Sequence, residues 1–295
     1  MNKTQFLLAV LALAGMLIAG CQNDNPIQAP DRQENLQTTD LASEFEKNLT
    51  AEIQSLSKTT GGDRRISGPT VITASGVYKV VKNFSATSDA IVIQADRVLL
   101  DLDDHVITGP GNKAGRGIVL DGVSHVFVKD GALKTFGVGV VLLNCSQSAI
   151  KEVEIRGGDE FANPPAGVPP QIGILLVNSY RNLVSENDCK RVNLGFFVRG
   201  GGSHDNLILH NSARGGTNGL LGICYNPAEG QGPAGPTNDV VARNLLTRFG
   251  TGIQASAGSA QNKFNHNTIH YFSKAWEDFN GTNEFRGNRT RQITP

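Results

Sequence analysis

The sequence predicts an all-β protein: a single-stranded right-handed parallel β-helix (a solenoid) of about eight coils with a capping α-helix at its N-terminal end. The main observation is an internal repeat, a pair of asparagines five residues apart with mostly apolar residues between them. Repeat periods of roughly 20 to 50 residues are typical of solenoids, whose units bury their apolar faces only by stacking. The pairs are Asn182/Asn187, Asn206/Asn211, Asn262/Asn267 and Asn283/Asn288, with an acid in the first position of Asp239/Asn244.

The segments between the turn residues have the length and composition of strands. Each unit contains two or three short runs rich in Val, Ile, Leu and Phe, separated by Gly, Asn, Ser and Asp. Such runs are too short for helices. The asparagines are expected at a corner, because Asn tolerates left-handed backbone and stacked amides can hydrogen-bond along a ladder. The second residue after the leading Asn or Asp is expected to point inward in every unit: Val184, Ile208, Val241, Phe264 and Phe285.

The N-terminus predicts export. Lys3 precedes an apolar run over residues 6–17, and the segment then closes with Ile18-Ala19-Gly20-Cys21. Residues 1–20 are therefore interpreted as a signal peptide, and the last four residues resemble a bacterial lipobox. That resemblance implies lipidation of Cys21 and a lipid-anchored protein of the cell envelope, at the outer membrane or the cell surface. An ordinary signal peptide or a membrane helix are the alternatives, although the run is short for a bilayer span.

Two segments precede the repeats. Residues 21–40 are polar, contain Pro26 and Pro30, and predict a flexible tether. Residues 41–57 carry an apolar stripe at helical spacing, which predicts an amphipathic helix. A solenoid end requires a cover, so we expect this helix to cap the open N-terminal end; a partner or membrane helix is the alternative. The stripe consists of Ala42, Phe45, Leu49, Ile53 and Leu56.

The β-helix is predicted over residues 66–290, with regular coils starting near Ala90. Two segments rich in Pro and Gly, residues 157–171 and 225–238, interrupt the coils and are interpreted as loops, and insertions of this kind often build the binding face of a solenoid. The pair Asp103-Asp104 is interpreted as a turn. Cys189 falls on an apolar column and is predicted to lie in the core. We expect no bridge between Cys145 and Cys224, which lie about three coils apart, beyond the reach of a disulfide.

The segment VLLDLDDHVITGPG at residues 98–111, residues 117–137 and the asparagine units together resemble the right-handed β-helix repeat proteins of the pectin-lyase-like superfamily, with NosD-type and carbohydrate-binding/sugar-hydrolase repeats closest in pattern. The resemblance implies the fold but leaves function open, because this fold carries lyases, hydrolases, epimerases and non-catalytic modules. The sequence lacks the catalytic clusters of polygalacturonases, the Asp-Pro-His of mannuronan epimerases, and the calcium-binding acids and Arg-x-Pro-x-x-Arg of pectate lyases. Likeness to the NosD type also leaves a role in metal handling open.

Composition limits the partners. The chain has 27 basic and 27 acidic residues, which gives no electrostatic reason to expect nucleic acid. Three histidines lie on the middle coils, but no close-spaced pair predicts a metal site. We therefore expect no metal and no cofactor, and a monomer.

Ionisable residues recur in one column, the fourth residue after the leading Asn: Glu186, His210, Arg243 and His266. On a functional interpretation, His210 is a base, Arg243 holds a sugar carboxylate and Glu186 completes a candidate catalytic group. The alternative is a solvated ladder on an outer strand. The candidate ligand-binding residues are Tyr180, Arg181, Arg199, His204, Tyr225 and His266. Tyr180, Tyr225 and Phe161 are candidates for stacking on sugars, or else pack their own loops.

The sequence thus predicts recognition of a polysaccharide or another extended ligand along the side of the solenoid. A long parallel sheet offers a repeating surface that matches a repeating polymer. The alternative is a polysaccharide lyase or uronate epimerase acting in a groove on the middle coils.

Overall fold

The computed structural model describes residues 31–60, 63–111, 114–158, 170–227, 234–270, 273–279 and 281–292. The chain divides into two units, Met1–Leu41 and Ala42–Pro295. In the first unit, the described residues from Asp31 onward are helical. The predicted leader, Cys21 and Phe161 lie outside the described residues. No helix among those residues combines the length and the apolar character needed to cross a membrane.

One helix and 24 strands make up the described secondary structure. Helix α1 covers Asp31–Thr60. The strands are β1 (Arg64–Ile66), β2 (Thr70–Ile72), β3 (Gly76–Val80), β4 (Phe84–Ser85), β5 (Ile91–Ile93), β6 (Val98–Asp101), β7 (Val106–Thr108), β8 (Arg116–Asp121), β9 (Phe127–Lys134), β10 (Val138–Leu143), β11 (Ala149–Arg156), β12 (Ile172–Val177), β13 (Leu183–Ser185), β14 (Asp188–Val192), β15 (Leu194–Arg199), β16 (Leu207–Leu209), β17 (Ser212–Asn226), β18 (Val240–Ala242), β19 (Leu245–Ala255), β20 (Lys263–Asn265), β21 (Thr268–His270), β22 (Lys274–Asp278), β23 (Glu284–Arg286) and β24 (Arg289–Arg291).

The strands stack in parallel into three faces, which we call sheets A, B and C in the order in which each coil visits them. Sheet A contains β2, β5, β8, β10, β12, β15, β17, β19 and β22. Sheet B contains β1, β3, β6, β9, β11, β13, β16, β18, β20 and β23. Sheet C contains β4, β7, β9, β11, β14, β17, β19, β21 and β24. Strands β9, β11, β17 and β19 bend around a corner, and each contributes to two sheets.

The parallel β-helix predicted from the sequence is therefore confirmed, with nine coils in the described residues. The additional coil is formed by β2, β3 and β4, which already stack on the coil that begins with β5 near Ala90. Its strands precede Ala90, near which the regular coils were predicted to start. The turn at Asp103 and Asp104 is also present, with φ of 49° and 58°.

The core is filled by the inward columns of all three sheets. Val184, Ile208, Val241 and Phe264 are fully buried as predicted, and Phe285 is partly buried against them. Cys189 is stacked in register with Ala213 and is fully buried. Cys145, Cys189 and Cys224 are all free thiols.

The asparagines form two buried ladders along the edges of sheet B. The backbone N–H and Nδ2 of Asn187 both donate to Oδ1 of Asn211, at 2.9 and 3.0 Å. Nδ2 of Asn187 also donates to the carbonyl of Ile150 at 2.9 Å. Each rung thus provides hydrogen-bond partners for buried backbone groups at the corner. Without a partner, each such group would lower the stability of the fold by about 1–3 kcal/mol.

Helix α1 is confirmed, but it begins at Asp31, so that residues 31–40 of the predicted tether are helical. Its position also differs from the expected cap over the open end. Ala42, Leu49 and Ile53 are buried in a cluster with outward-facing residues of sheet B, on the side of the solenoid. The physical reason is an apolar outward column, which continues over seven coils before it turns charged at Lys263 and Glu284: Val77, Leu99, Phe127, Ala149, Leu183, Leu207 and Val240.

Ion pairs fix the direction of this helix along sheet B. Glu52 binds Arg97 at 2.7 Å on the early coils, whereas Glu46 binds Lys151 at 2.8 Å two coils later. Six helical residues rise about 9 Å, and two coils span about 10 Å. The segment of the helix from Ala42 to Ile53 therefore runs along the stacking direction, with Glu46 on the later coils and Glu52 on the earlier ones.

Candidate functional site

The candidate catalytic residues stand at the corner between sheets B and C, on consecutive coils. Glu186, His210, Arg243 and His266 all adopt left-handed backbone, with φ between 55° and 58°. This conformation turns the chain from sheet B to sheet C and directs the side chains outward, which makes the column accessible. Nη1 of Arg243 lies 3.4 Å from Nε2 of His210. The structure thus brings these two residues together at the surface.

The surroundings of His210 favour the neutral form of its imidazole. Partial burial lowers the pKa of His210, and the Arg243 guanidinium lowers it further, while Glu186 acts in the opposite direction. A neutral imidazole can accept a proton at neutral pH, which a general base requires. The contact with Arg243 also leaves a cation next to that base.

Glu186 lies near the residues that bind helix α1 as well as near His210 and Arg243. Its Oε1 lies 3.4 Å from Nζ of Lys151, which also binds Glu46 of the helix at 2.8 Å. The column of residues with left-handed backbone continues into the earlier coils with Glu152 and Asp130, whose φ angles are 53° and 57°. The pKa of Glu152 is raised to about 7; the larger cause is its hydrogen bond with Asp130, and the second is burial.

Asp130 and Glu152 were not among the site residues predicted from the sequence. Burial alone would raise the pKa of Asp130, but hydrogen bonds from Lys129 and Glu152 hold it below its ordinary value. Continuing the register of the repeat into the coils that lack asparagine would have placed both acids in this column. They lie next to Glu186 rather than next to His210.

A second cluster occupies the corner between sheets A and B, which we call the A–B corner and define as Tyr180, Arg181, His204 and Asp205. The rings of Tyr180 and His204 stack on consecutive coils, with centroids 4.9 Å apart and planes 11° apart. Cζ of Arg181 lies 6.0 Å from the Tyr180 ring. Asp205 binds Nδ1 of His204 at 3.0 Å and Nε of Arg181 at 3.7 Å. Tyr180 is 36% exposed, so this arrangement presents an aromatic surface held by charged neighbours.

Arg199 lies on the adjoining outer surface of sheet A, at the end of β15. Its Cζ stands 5.4 Å from the ring of Phe197, which points outward from the same strand. Gly200, Gly201 and Gly202 then lead directly to Ser203 and His204. Arg199 therefore borders the A–B corner. Three other predicted ligand-binding residues, Tyr180, Arg181 and His204, form the corner itself.

The two predicted loops join opposite edges of sheet A. The first connects β11 at the end of sheet C to β12 at the start of sheet A, and residues 159–169 lie outside the described part of the chain. The second connects β17 at the end of sheet A to β18 of sheet B, and residues 228–233 are likewise not described. The rungs β12, β15 and β17 lie between the two attachment points. The second loop rejoins the corner at Thr237, which pairs with His204.

The interpretation of Tyr225 as an exposed ligand-binding residue is wrong. Tyr225 is fully buried, packs edge-on against Phe264 at 5.3 Å and 86°, and belongs to β17 rather than to the loop. Its position pairs with Val198 one coil earlier, which is an inward position of sheet A. Its hydroxyl lies beside Asp239. Burial raises the pKa of Tyr225 well above its ordinary value and that of Asp239 to about 7.

A family model described as the right handed beta helix region matches residues 71–290. The chain belongs to this family. Solved structures of similar fold include an alginate lyase from Paenibacillus sp. str. FPU-7, with 13% identity and a TM-score of 0.50 over 82% of this chain and 95% of the lyase. No curated protein matches the sequence.

Two further solved structures are less similar. The Dettilon tailspike protein has 16% identity and a TM-score of 0.41 over 79% of this chain and 61% of the tailspike. The A-module of the mannuronan C-5 epimerase AlgE6 from Azotobacter vinelandii has 13% identity and a TM-score of 0.33 over 82% of this chain and 94% of the module. At such identities the likeness to the lyase concerns the fold alone.

This right-handed β-helix does not combine its candidate residues in one site. The A–B corner and the column of His210 and Arg243 border opposite edges of sheet B, and helix α1 covers the outer surface between them. Arg181 and Glu186 stand on either side of strand β13 (Leu183–Ser185), which separates the two corners on that coil. Among the described residues, no three His, Cys, Asp or Glu side chains are grouped to hold a metal ion.

Proposed function

We propose that this β-helix is an exported protein, lipid-anchored through Cys21, that recognises a polysaccharide at the A–B corner. The observation that carries the proposal is the stacking of Tyr180 on His204 across consecutive coils. The resulting ring surface is partly exposed and has Arg181 at its edge. The likeness to a solved alginate lyase favours a carbohydrate ligand by analogy of fold.

The chemistry of the A–B corner suits a sugar. A pyranose ring offers an apolar face of C–H groups to an aromatic surface and hydroxyls to charged neighbours at the rim. Aromatic side chains provide apolar contact area with a polar edge and lose little entropy, because few torsions are fixed. Arg181 and Arg199 can donate several hydrogen bonds in fixed directions to hydroxyls or carboxylates. The ligand would lie across the coils β12, β15 and β17.

A glycan array with the purified chain from Gln22 onward would identify the ligand. Tyr180→Ala and His204→Ala should each weaken binding by about ten- to a hundredfold, as truncation of a central aromatic contact usually does. Phe279→Ala is the matched control, because Phe279 is an exposed aromatic residue, at 61%, on the last coil. If the control lost as much binding as the two variants, or if none of the three substitutions weakened binding, the A–B corner would be refuted as the binding site.

Lipidation of Cys21 is tested separately. Cells that express the chain should incorporate labelled palmitate, and Cys21→Ser should abolish the incorporation. Unlabelled protein in the wild-type strain would refute the anchor without affecting the ligand-binding proposal.

A second candidate function, a polysaccharide lyase or uronate epimerase, is favoured by one specific observation. His210, whose pKa is lowered, stands 3.4 Å from Arg243. A base that removes the proton next to a carboxylate requires a cation to stabilise the resulting charge, and this pair offers both. An assay for unsaturated uronic ends should then detect activity that His210→Ala removes and His204→Ala retains. Activity that persists in His210→Ala would exclude this site.

A further inference from the structure

Charge is distributed unevenly along this β-helix, although the whole chain is neutral. On sheets B and C of the last four coils, residues 207–215, 240–248, 263–270 and 284–291 contain seven Lys or Arg and one Asp or Glu. The corresponding segments of the four preceding coils, residues 99–108, 127–134, 149–156 and 183–191, contain six and eight. The positive potential is therefore concentrated on the later coils.

The late coils present this charge on the outer surface of sheet C and the corner that follows it. We call this surface the late basic face and define it by Arg214, Arg248, His270, Arg289 and Arg291. The four arginines are exposed, and none of them has an ion pair within the described residues. On the earlier coils of the same sheet, by contrast, Arg156 binds Glu154 at 2.7 Å and Lys190 binds Asp188 at 2.6 Å. The field of the late face is thus not compensated locally.

The late basic face also has the shape and the apolar content of a membrane contact. Arg214, Thr247, His270 and Arg291 stand in register on consecutive coils, about 4.8 Å apart, on a sheet surface. Leu245 lies in the neighbouring outward column and is 40% exposed. An apolar side chain among unpaired arginines favours a headgroup region, where Leu enters the acyl boundary and the cations meet phosphates.

We propose that the late basic face docks this β-helix onto an anionic lipid headgroup surface. The uncompensated charge and the exposed Leu245 carry this proposal, and the lipid anchor proposed above would add a second membrane signal. A single acyl chain or a single basic patch binds membranes only marginally, and two such signals together hold a protein there. Docking would also leave the A–B corner, on the far side of helix α1, open to a ligand.

Vesicle sedimentation tests the proposal with the unacylated chain from Gln22 onward, so the result does not depend on Cys21. The vesicles are pure phosphatidylcholine or a mixture with phosphatidylglycerol. The test variant combines Arg248→Glu, Arg289→Glu and Arg291→Glu. The matched control combines Lys47→Glu, Arg65→Glu and Lys82→Glu, which makes the same change in net charge at exposed positions on the helix and the first coil. Arg248→Gln, Arg289→Gln and Arg291→Gln form a milder second variant.

The wild-type chain should bind the anionic vesicles, less so as salt rises, and should not bind phosphatidylcholine. Each Lys or Arg near an anionic surface adds to the binding free energy. The Glu variant should therefore bind the anionic vesicles at least about a hundredfold more weakly than the wild-type chain, and the Gln variant should show a loss of similar size. The control should bind like the wild-type chain. Equal binding to both vesicles, an equal loss in the control, or binding to polygalacturonate without binding to vesicles would overturn the proposal. The palmitate labelling described above decides the anchor independently.

Discussion

Replacing Asp239 with Asn should stabilise this β-helix at neutral and basic pH but not at acidic pH. Asp239 takes the first position of the asparagine unit that Asn182, Asn206 and Asn262 also occupy. Its Oδ1 accepts the backbone N–H and Nδ2 of Asn206, at 2.6 and 3.1 Å. At the next rung, Asn262 donates through its own Nδ2 to Oδ1 of Asn283 at 2.9 Å. An ionised Asp239 has no hydrogen to donate in this way.

The magnitude follows from the burial of the carboxyl. Asp239 is fully buried, and burial is the largest cause that raises its pKa from 3.8 to about 7. This difference corresponds to about 4 kcal/mol between the two protonation states. An acid whose folded pKa is raised stabilises the fold fully below its unfolded pKa, and this contribution is lost as pH rises to about 7.

Asp239→Asn should therefore raise the free energy of unfolding at pH 8 by up to about 4 kcal/mol and change it little at pH 4. Urea titrations of the wild-type and variant chains at pH 4, 6 and 8 measure the difference. Asp104→Asn is the control: Asp104 is exposed and has φ of 58°, which Asn also tolerates. A variant that is less stable at pH 8, or a gain that is the same at pH 4 and pH 8, would refute this account of the ladder.

The remaining predictions concern the fold. Ile53→Ala should lower the free energy of unfolding by about 2–4 kcal/mol in urea titrations, because Ile53 is fully buried between helix α1 and sheet B, whereas Lys47→Ala at an exposed position should cost little. Asn211→Ala should cost about 2–3 kcal/mol, since several buried backbone groups lose their partner; a cost near zero would contradict the proposed importance of the amide ladder. Gly195→Ala should lower the melting temperature sharply, because its Cβ would lie 2.5 Å from the carbonyl oxygen of Gly222 on the next coil. Unchanged melting would show that the coils separate more easily than their packing implies.

The asparagine units made the coil, its corner and its inward column predictable. Backbone pairing and burial repeat with the same period as the sequence, so Val184 and Ile208 could be assigned to the core from their spacing alone. The position of helix α1 could not be obtained in this way. Leu183 and Leu207 belong to an outward column as apolar as the core columns, and only the change to charge at Lys263 indicates that another element covers it.

The site was predictable in part. The stacking of Tyr180 on His204 follows from their equal distance to the leading asparagines, and the contact of His210 with Arg243 follows from the same register. Tyr225 was assigned incorrectly because the strand continues up to the proline that begins the loop, so a residue at a loop boundary was in fact an inward one. Lys151, which links Glu186 to Glu46 of the helix, lies in a coil without the repeat motif and gave no signal.

The attachment of helix α1 affects how the molecule bears mechanical load. The hydrogen bonds of Glu46 to Lys151 and Ser185 join positions 105 and 139 residues apart, whereas rungs otherwise contact only their neighbours. Tension applied to the chain before Ala42 would enter through several rungs simultaneously, parallel to the stack. Bonds loaded together in shear resist more than bonds opened one after another, so the first coil is protected from being peeled away.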